Sequence, residues 1–173
     1  MTKPDPRQLI EHSGLFKKDS FDWILEIILN NKNASYGSID RKIRTSGELL
    51  SGDEMEKLGL RANSKVSSKD YHALSDNGKK DILGSAFLVT QRILHAESIF
   101  YQHEQINKSV SNAQDVYEAE VMLSNDGDDE GNDACNAALE LRGKRFRFSE
   151  VPELPLPNCD AGYCRCMLRY HRK

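Results

Sequence analysis

The chain has 173 residues, a formal net charge of −3 and 29% charged residues, and its length is sufficient for one good-sized domain or two small ones. Its 38% hydrophobic content is low, but 8% aromatic residues argue against outright disorder. No apolar stretch reaches the roughly 18 residues that cross a bilayer, and residues 1–11 contain no apolar signal-peptide segment. We therefore expect a cytoplasmic protein without membrane contact.

The first 110 residues are predicted to form a helical body. Apolar residues recur at helical spacing over 20–30, with Asp19 or Ser20 as the cap. The most regular pattern predicts a long amphipathic helix over 81–108. Further helices are expected over 5–16, 38–44 and 53–58.

The remaining residues change in character and indicate a second module. Residues 111–133 are predicted to be an acidic linker, within which 116–123 could form a strand or a short helix. Residues 134–173 are predicted to be a small cysteine-rich module. The predicted fold is therefore mainly α, with a helical amino-terminal body and a small zinc-stapled α+β carboxy-terminal module.

The module is expected to begin with a helix over 134–141 and to continue with a strand. Phe146 and Phe148 alternate with Arg145 and Arg147, which is typical of a half-buried strand with one aromatic and one basic face.

All four cysteines lie in this module, as Cys135 and a C-x4-C-x-C motif formed by Cys159, Cys164 and Cys166. Clustered thiols in a cytoplasmic chain are more often metal ligands than disulfides. Four thiolates complete a tetrahedral structural zinc site, and His171 could replace one of them. Reduced structural thiols and a redox role are the alternatives. A structural zinc would compensate for the small apolar core of this segment.

Two weaker metal signals are interpreted as structural. Residues 126–137 begin like an EF-hand loop, but Ala137 occupies the position of the bidentate glutamate, so a solvated acidic loop is expected. His95 and His103 lie two helical turns apart, near Glu97 and Glu104, but the sequence fixes no third ligand for a metal ion. We therefore expect an exposed pair of histidines.

The module also carries motifs that resemble known proteins. These motifs are Cys135-Asn-Ala-Ala-Leu, Gly143-Lys-Arg-Phe, Glu150-Val-Pro, Leu154-Pro-Leu-Pro-Asn-Cys-Asp and Cys164-Arg-Cys. They resemble the carboxy-terminal signature of small uncharacterised bacterial proteins. They are similar, more loosely, to the cysteine-containing tail of phage head morphogenesis (minor head) proteins. The resemblance covers about the last 40 residues, and it implies a metal-stapled β element without catalytic activity.

Charge patterning suggests how such a module could act. Residues 111–140 carry nine acidic residues and no lysine or arginine, whereas the chain from Leu141 onward carries eight basic and three acidic residues. These segments can attract each other within the chain, or each can bind a partner of opposite charge. An acidic protein surface or a nucleic acid would then meet four predicted partner-binding residues, Arg145, Arg147, Arg165 and Arg169.

The sequence thus favours a non-enzymatic, zinc-stapled binding or adaptor protein. One alternative is a metal-dependent enzyme that combines the cysteines with carboxylates, and another is a nucleic-acid-binding protein. The overall acidic balance disfavours nucleic acid, because domains that bind it are usually strongly basic. The sequence does not indicate the oligomeric state.

Overall fold

The computed structural model describes residues 1–110, 117–123, 135–159 and 164–172. The helices are α1 (Pro6–Ser13), α2 (Phe21–Leu29), α3 (Tyr36–Arg44), α4 (Gly52–Lys57), α5 (Ser68–Ala73), α6 (Ser85–Val110) and α7 (Asn136–Leu139). The strands are β1 (Tyr117–Met122), β2 (Arg145–Arg147) and β3 (Met167–Arg172). Short 3-10 turns occupy Lys18–Ser20, Gly78–Asp81 and Phe148–Glu150. The expected helical architecture with a small β element is confirmed.

The chain divides into two compact units inside α6 rather than at residue 110. The helical unit is Asp5–Ile93, and the sheet unit is Met1–Pro4 with Leu94–Lys173. Ile99, in the second part of α6, belongs to the same apolar cluster as residues of the strands. This packing explains why the end of the helix belongs with the sheet. The predicted EF-hand-like loop and most of the acidic linker lie outside the described residues.

Several helices of the helical unit begin at side chains that cap them. The Asp5 carboxylate accepts a hydrogen bond from the backbone of α1, and the Ser35 hydroxyl does so for α3. Ser51 and Glu54 form a reciprocal capping box at α4. Ser20 precedes α2 as predicted, but its hydroxyl donates to the Lys17 carbonyl instead of capping. The core of this unit is formed by the inward faces of the helices and by residues between them, and it includes Ile10, Ile24, Ile28, Ile39, Ile43, Met55, Val66, Leu74 and Val89.

The start of α6 differs from its prediction by four residues. The segment from Gly78 forms a 3-10 turn, after which the Asp81 carboxylate accepts a hydrogen bond of 2.9 Å from the Gly84 backbone. A Cβ on Gly84 would lie 2.0 Å from this carboxylate, so a larger residue at this position would displace the Asp81 side chain from its hydrogen bond. Although α6 has 26 residues, no helix in the described part of the chain is long and apolar enough to cross a membrane.

The sheet unit contains a three-stranded antiparallel sheet in the order β2-β1-β3. Ala119 of β1 lies opposite Phe146 and Tyr170, and the next residue, Glu120, lies opposite Arg145 and Arg169. Alternation therefore gives the sheet one apolar face and one charged face. Within the ambiguous segment, Tyr117–Met122 form strand β1, and β3 was not predicted.

Two predictions in this unit need correction. Strand β2 ends at Arg147, and Phe148 begins a 3-10 turn, so Phe146 and Phe148 do not share a strand face. The Phe148 ring instead stacks on His103, with ring centroids 4.1 Å apart. The helix expected over 134–141 is the shorter α7.

Candidate functional site

The cysteines converge on the apolar core of the sheet unit. The Cys164 thiol makes side-chain hydrogen bonds with Cys159 and Cys166. Cys135, Cys164 and Cys166 are buried in one apolar cluster, and Cys159 packs against it. The structure thus brings Cys159 and Cys166 each into contact with Cys164 and places Cys135 in the same apolar core. All four are free thiols.

The Cys164 thiol resists ionisation in this setting. Its hydrogen bond with Cys159 favours the thiolate, but the hydrogen bond and charge of Cys166, together with burial, raise the pKa of Cys164 to about 11. The thiol is therefore protonated at neutral pH. A metal ion that binds here must displace that proton.

Among the described residues, no three His, Cys, Asp or Glu side chains are arranged to hold a metal ion. His171, the predicted substitute ligand, is not brought to the thiols. Its Nε2 lies 3.3 Å from Glu120 Oε1 on the charged face of the sheet. His171 lies five positions after Cys166, which in extended chain corresponds to about 17 Å and places the two side chains on opposite faces.

The prediction of an exposed histidine pair is wrong. His95 is half-buried, and its Nε2 donates a 2.8 Å hydrogen bond to the carbonyl of Cys166. Desolvation lowers the pKa of His95, and this hydrogen bond opposes the effect. His103 is only 3% exposed, and its Nδ1 lies 3.0 Å from the Tyr170 hydroxyl. The His95 ring contacts Cys166, just before β3, and the His103 ring contacts Tyr170 in β3. Strand β3 was not predicted.

The basic residues on the charged sheet face meet acidic residues of β1. Arg169 Nη1 donates a 3.1 Å hydrogen bond to Glu120 Oε1, and Arg145 Nη1 lies 3.7 Å from Glu118 Oε2. Arg169 lies directly opposite Glu120 in the antiparallel register, whereas Arg145 lies diagonally across from Glu118. Attraction between the acidic and basic segments within the chain is therefore observed at these two pairs.

The other two predicted partner-binding arginines are also exposed. Arg147 is exposed on β2, and Arg165 is exposed in the segment that precedes β3. The structure thus leaves the charged face only weakly cationic, because two carboxylates lie among its basic residues.

Comparisons with profiles of known protein families, with curated proteins and with solved structures find no match. The resemblance of the cysteine motifs to phage minor head proteins therefore stays a prediction. The distinctive feature of the site is a set of four free cysteines, three buried in the apolar core of the sheet unit and one packed against it.

Proposed function

We propose that this protein is a non-enzymatic binding or adaptor protein whose sheet unit is stapled by a structural zinc ion on Cys135, Cys159, Cys164 and Cys166. The observation that carries the proposal is the contact of the Cys164 thiol with both Cys159 and Cys166. Thiolates are preferred zinc ligands, and four of them satisfy a tetrahedral ion.

The small size of the sheet unit supports a structural role. Its core is a single cluster that joins short strands, α7 and an extended proline-containing segment. Small modules of this kind often depend on zinc for folding energy. Zinc would draw the thiols together and release their protons, so its affinity should fall at acidic pH.

The donor set also favours a structural over a catalytic ion. A catalytic zinc keeps one coordination position open for water or substrate, and four thiolates leave none. Glu153, one of the carboxylates nearest in sequence, accepts a hydrogen bond from the Thr2 backbone instead. The role left to the unit is to present its surface to a partner. Arg147, exposed on β2, is then a contact residue for an acidic protein surface.

Metal content of the full chain tests the staple. We expect about one zinc ion per chain after purification without chelator, and its loss in Cys135→Ser and Cys164→Ser together with increased proteolysis of the sheet unit. Ala137→Ser is the matched control, because it places a hydroxyl in the same apolar cluster without removing a thiol. The control should retain zinc.

Absence of zinc in the unmodified chain, with all four thiols open to a thiol reagent, would overturn the staple. Retention of zinc in both cysteine variants would assign the metal to other ligands. Loss of zinc in Ala137→Ser as well would show that the cysteine variants act through unfolding rather than through lost ligands.

A further inference from the structure

The helical unit contains a cleft of about 360 Å³ that the proposed function does not use. Small-molecule sites in proteins typically measure about 300 to 1,000 Å³. Three cationic side chains, two neutral polar ones and one apolar one line the cleft: Arg41, Arg44, Lys65, Asn63, Ser64 and Leu83.

Arg44 is held rigidly at this cleft. Its Nε and Nη2 donate hydrogen bonds of 3.0 and 2.9 Å to the two carboxylate oxygens of Asp40, and its Nη1 donates one of 3.1 Å to the Lys65 carbonyl. These bonds fix the guanidinium plane and use three of its five N–H groups. An arginine fixed in this way loses little further side-chain entropy when an anion binds.

The cleft carries excess positive charge. Arg41 lies one turn before Arg44 on α3, at a spacing that shares a helix face. Within the described part of the chain, the side chains of Arg41 and Lys65 are exposed and neither pairs with a carboxylate. Asp40 offsets the charge of Arg44, so the other two cations remain to attract an anion.

We propose that this cleft binds the phosphate group of a small molecule. Arginine N–H groups match the geometry of phosphate oxygens, and a lysine adds a compact charge. Asn63 and Ser64 add neutral hydrogen-bonding groups beside these cations. Leu83 is 39% exposed at the same cleft, where it offers an apolar contact to the organic part of the ligand.

Titration of the isotope-labelled full chain with inorganic phosphate and with phenyl phosphate, followed by NMR, tests this proposal. We expect saturable shifts of the backbone amides of residues 41–44 and 63–65, with tighter binding of phenyl phosphate because of Leu83. Arg41→Ala and Lys65→Ala should each weaken binding about tenfold, because each removes a charged hydrogen-bond donor. Both side chains are exposed, so the fold should be preserved.

Lys42→Ala is the matched control, because it removes the same charge from the same helix outside the cleft lining, where Lys42 contacts Asn31. Equal weakening by Lys42→Ala and Arg41→Ala would overturn the proposal in favour of general charge attraction. Absence of saturable shifts with either phosphate would also overturn it. Shifts at these residues with short single-stranded DNA alone would instead assign the cations to a polynucleotide backbone.

Discussion

The buried carboxyl group of Asp70 predicts an unusual pH dependence for the helical unit. Asp70 is 0% exposed, and neither carboxylate oxygen has a hydrogen-bond partner among the described residues. Desolvation raises the pKa of Asp70 from 3.8 to about 7, opposed by Arg44 and assisted by Asp40. The protonated form is therefore favoured by folding. Its contribution to stability is complete below pH 4 and is lost as pH rises through 7.

The size of this loss follows from the pKa. At about 1.36 kcal/mol per pKa unit, this rise in the pKa of Asp70 corresponds to a loss of about 4 kcal/mol in the free energy of unfolding above pH 7. Asp70→Asn keeps the shape of the side chain and removes the charge. We expect the free energy of unfolding of this variant to exceed that of the unmodified chain by about 2 to 4 kcal/mol at pH 8, and to be nearly equal at pH 4.

Urea titrations measured by tryptophan fluorescence are suited to this comparison. Trp23, the single tryptophan of the chain, lies on α2 and therefore reports on the helical unit. Asp76→Asn is the control, since this carboxylate is exposed and its removal should change stability by no more than about 0.5 kcal/mol. If the difference in free energy of unfolding between Asp70→Asn and the unmodified chain is the same at pH 4 and at pH 8, the reasoning is refuted.

Three further predictions concern other contacts. Burial, followed by the charge of the amino terminus, lowers the pKa of His103. The contribution of His103 to stability is therefore present above about pH 6.5 and is lost as pH falls. Lower protection of the β1 and β3 amides from hydrogen exchange at pH 5 would show this loss, and unchanged protection would contradict it. Tyr170→Phe removes the hydroxyl that contacts His103 and should lower the free energy of unfolding by about 1 kcal/mol. Thermal unfolding measures this loss, and an unchanged stability would show that the contact contributes nothing. Ser51→Ala removes the capping box of α4 and should cost about 1 kcal/mol in a urea titration; no change beyond that of Ser64→Ala would argue against the cap.

Sequence reasoning succeeded where one local signal decided the structure. Apolar periodicity predicted α2 and most of α6, and the alternation around Phe146 predicted β2. These elements follow from residues that are close in the chain, so their spacing is sufficient to identify them.

Features that depend on distant residues were missed. The buried state of His103 depends on Tyr170, which lies 67 positions away. In β3, Leu168 and Tyr170 alternate with polar residues, which is a strand signal in the sequence. The cleft combines α3 with a loop some twenty residues later, and the only local hint was the i,i+4 spacing of Asp40 and Arg44.

The charge pattern of the sheet also determines which strands can be neighbours. Both outer strands, β2 and β3, carry arginines on the charged face, whereas the central β1 carries Glu118 and Glu120. Direct pairing of β2 with β3 would bring arginines together, and like charges in opposite positions are destabilising. A one-residue slip would turn the glutamates toward the apolar core. The same residues therefore discourage mispairing during folding and help to keep the basic outer strands from associating with other chains.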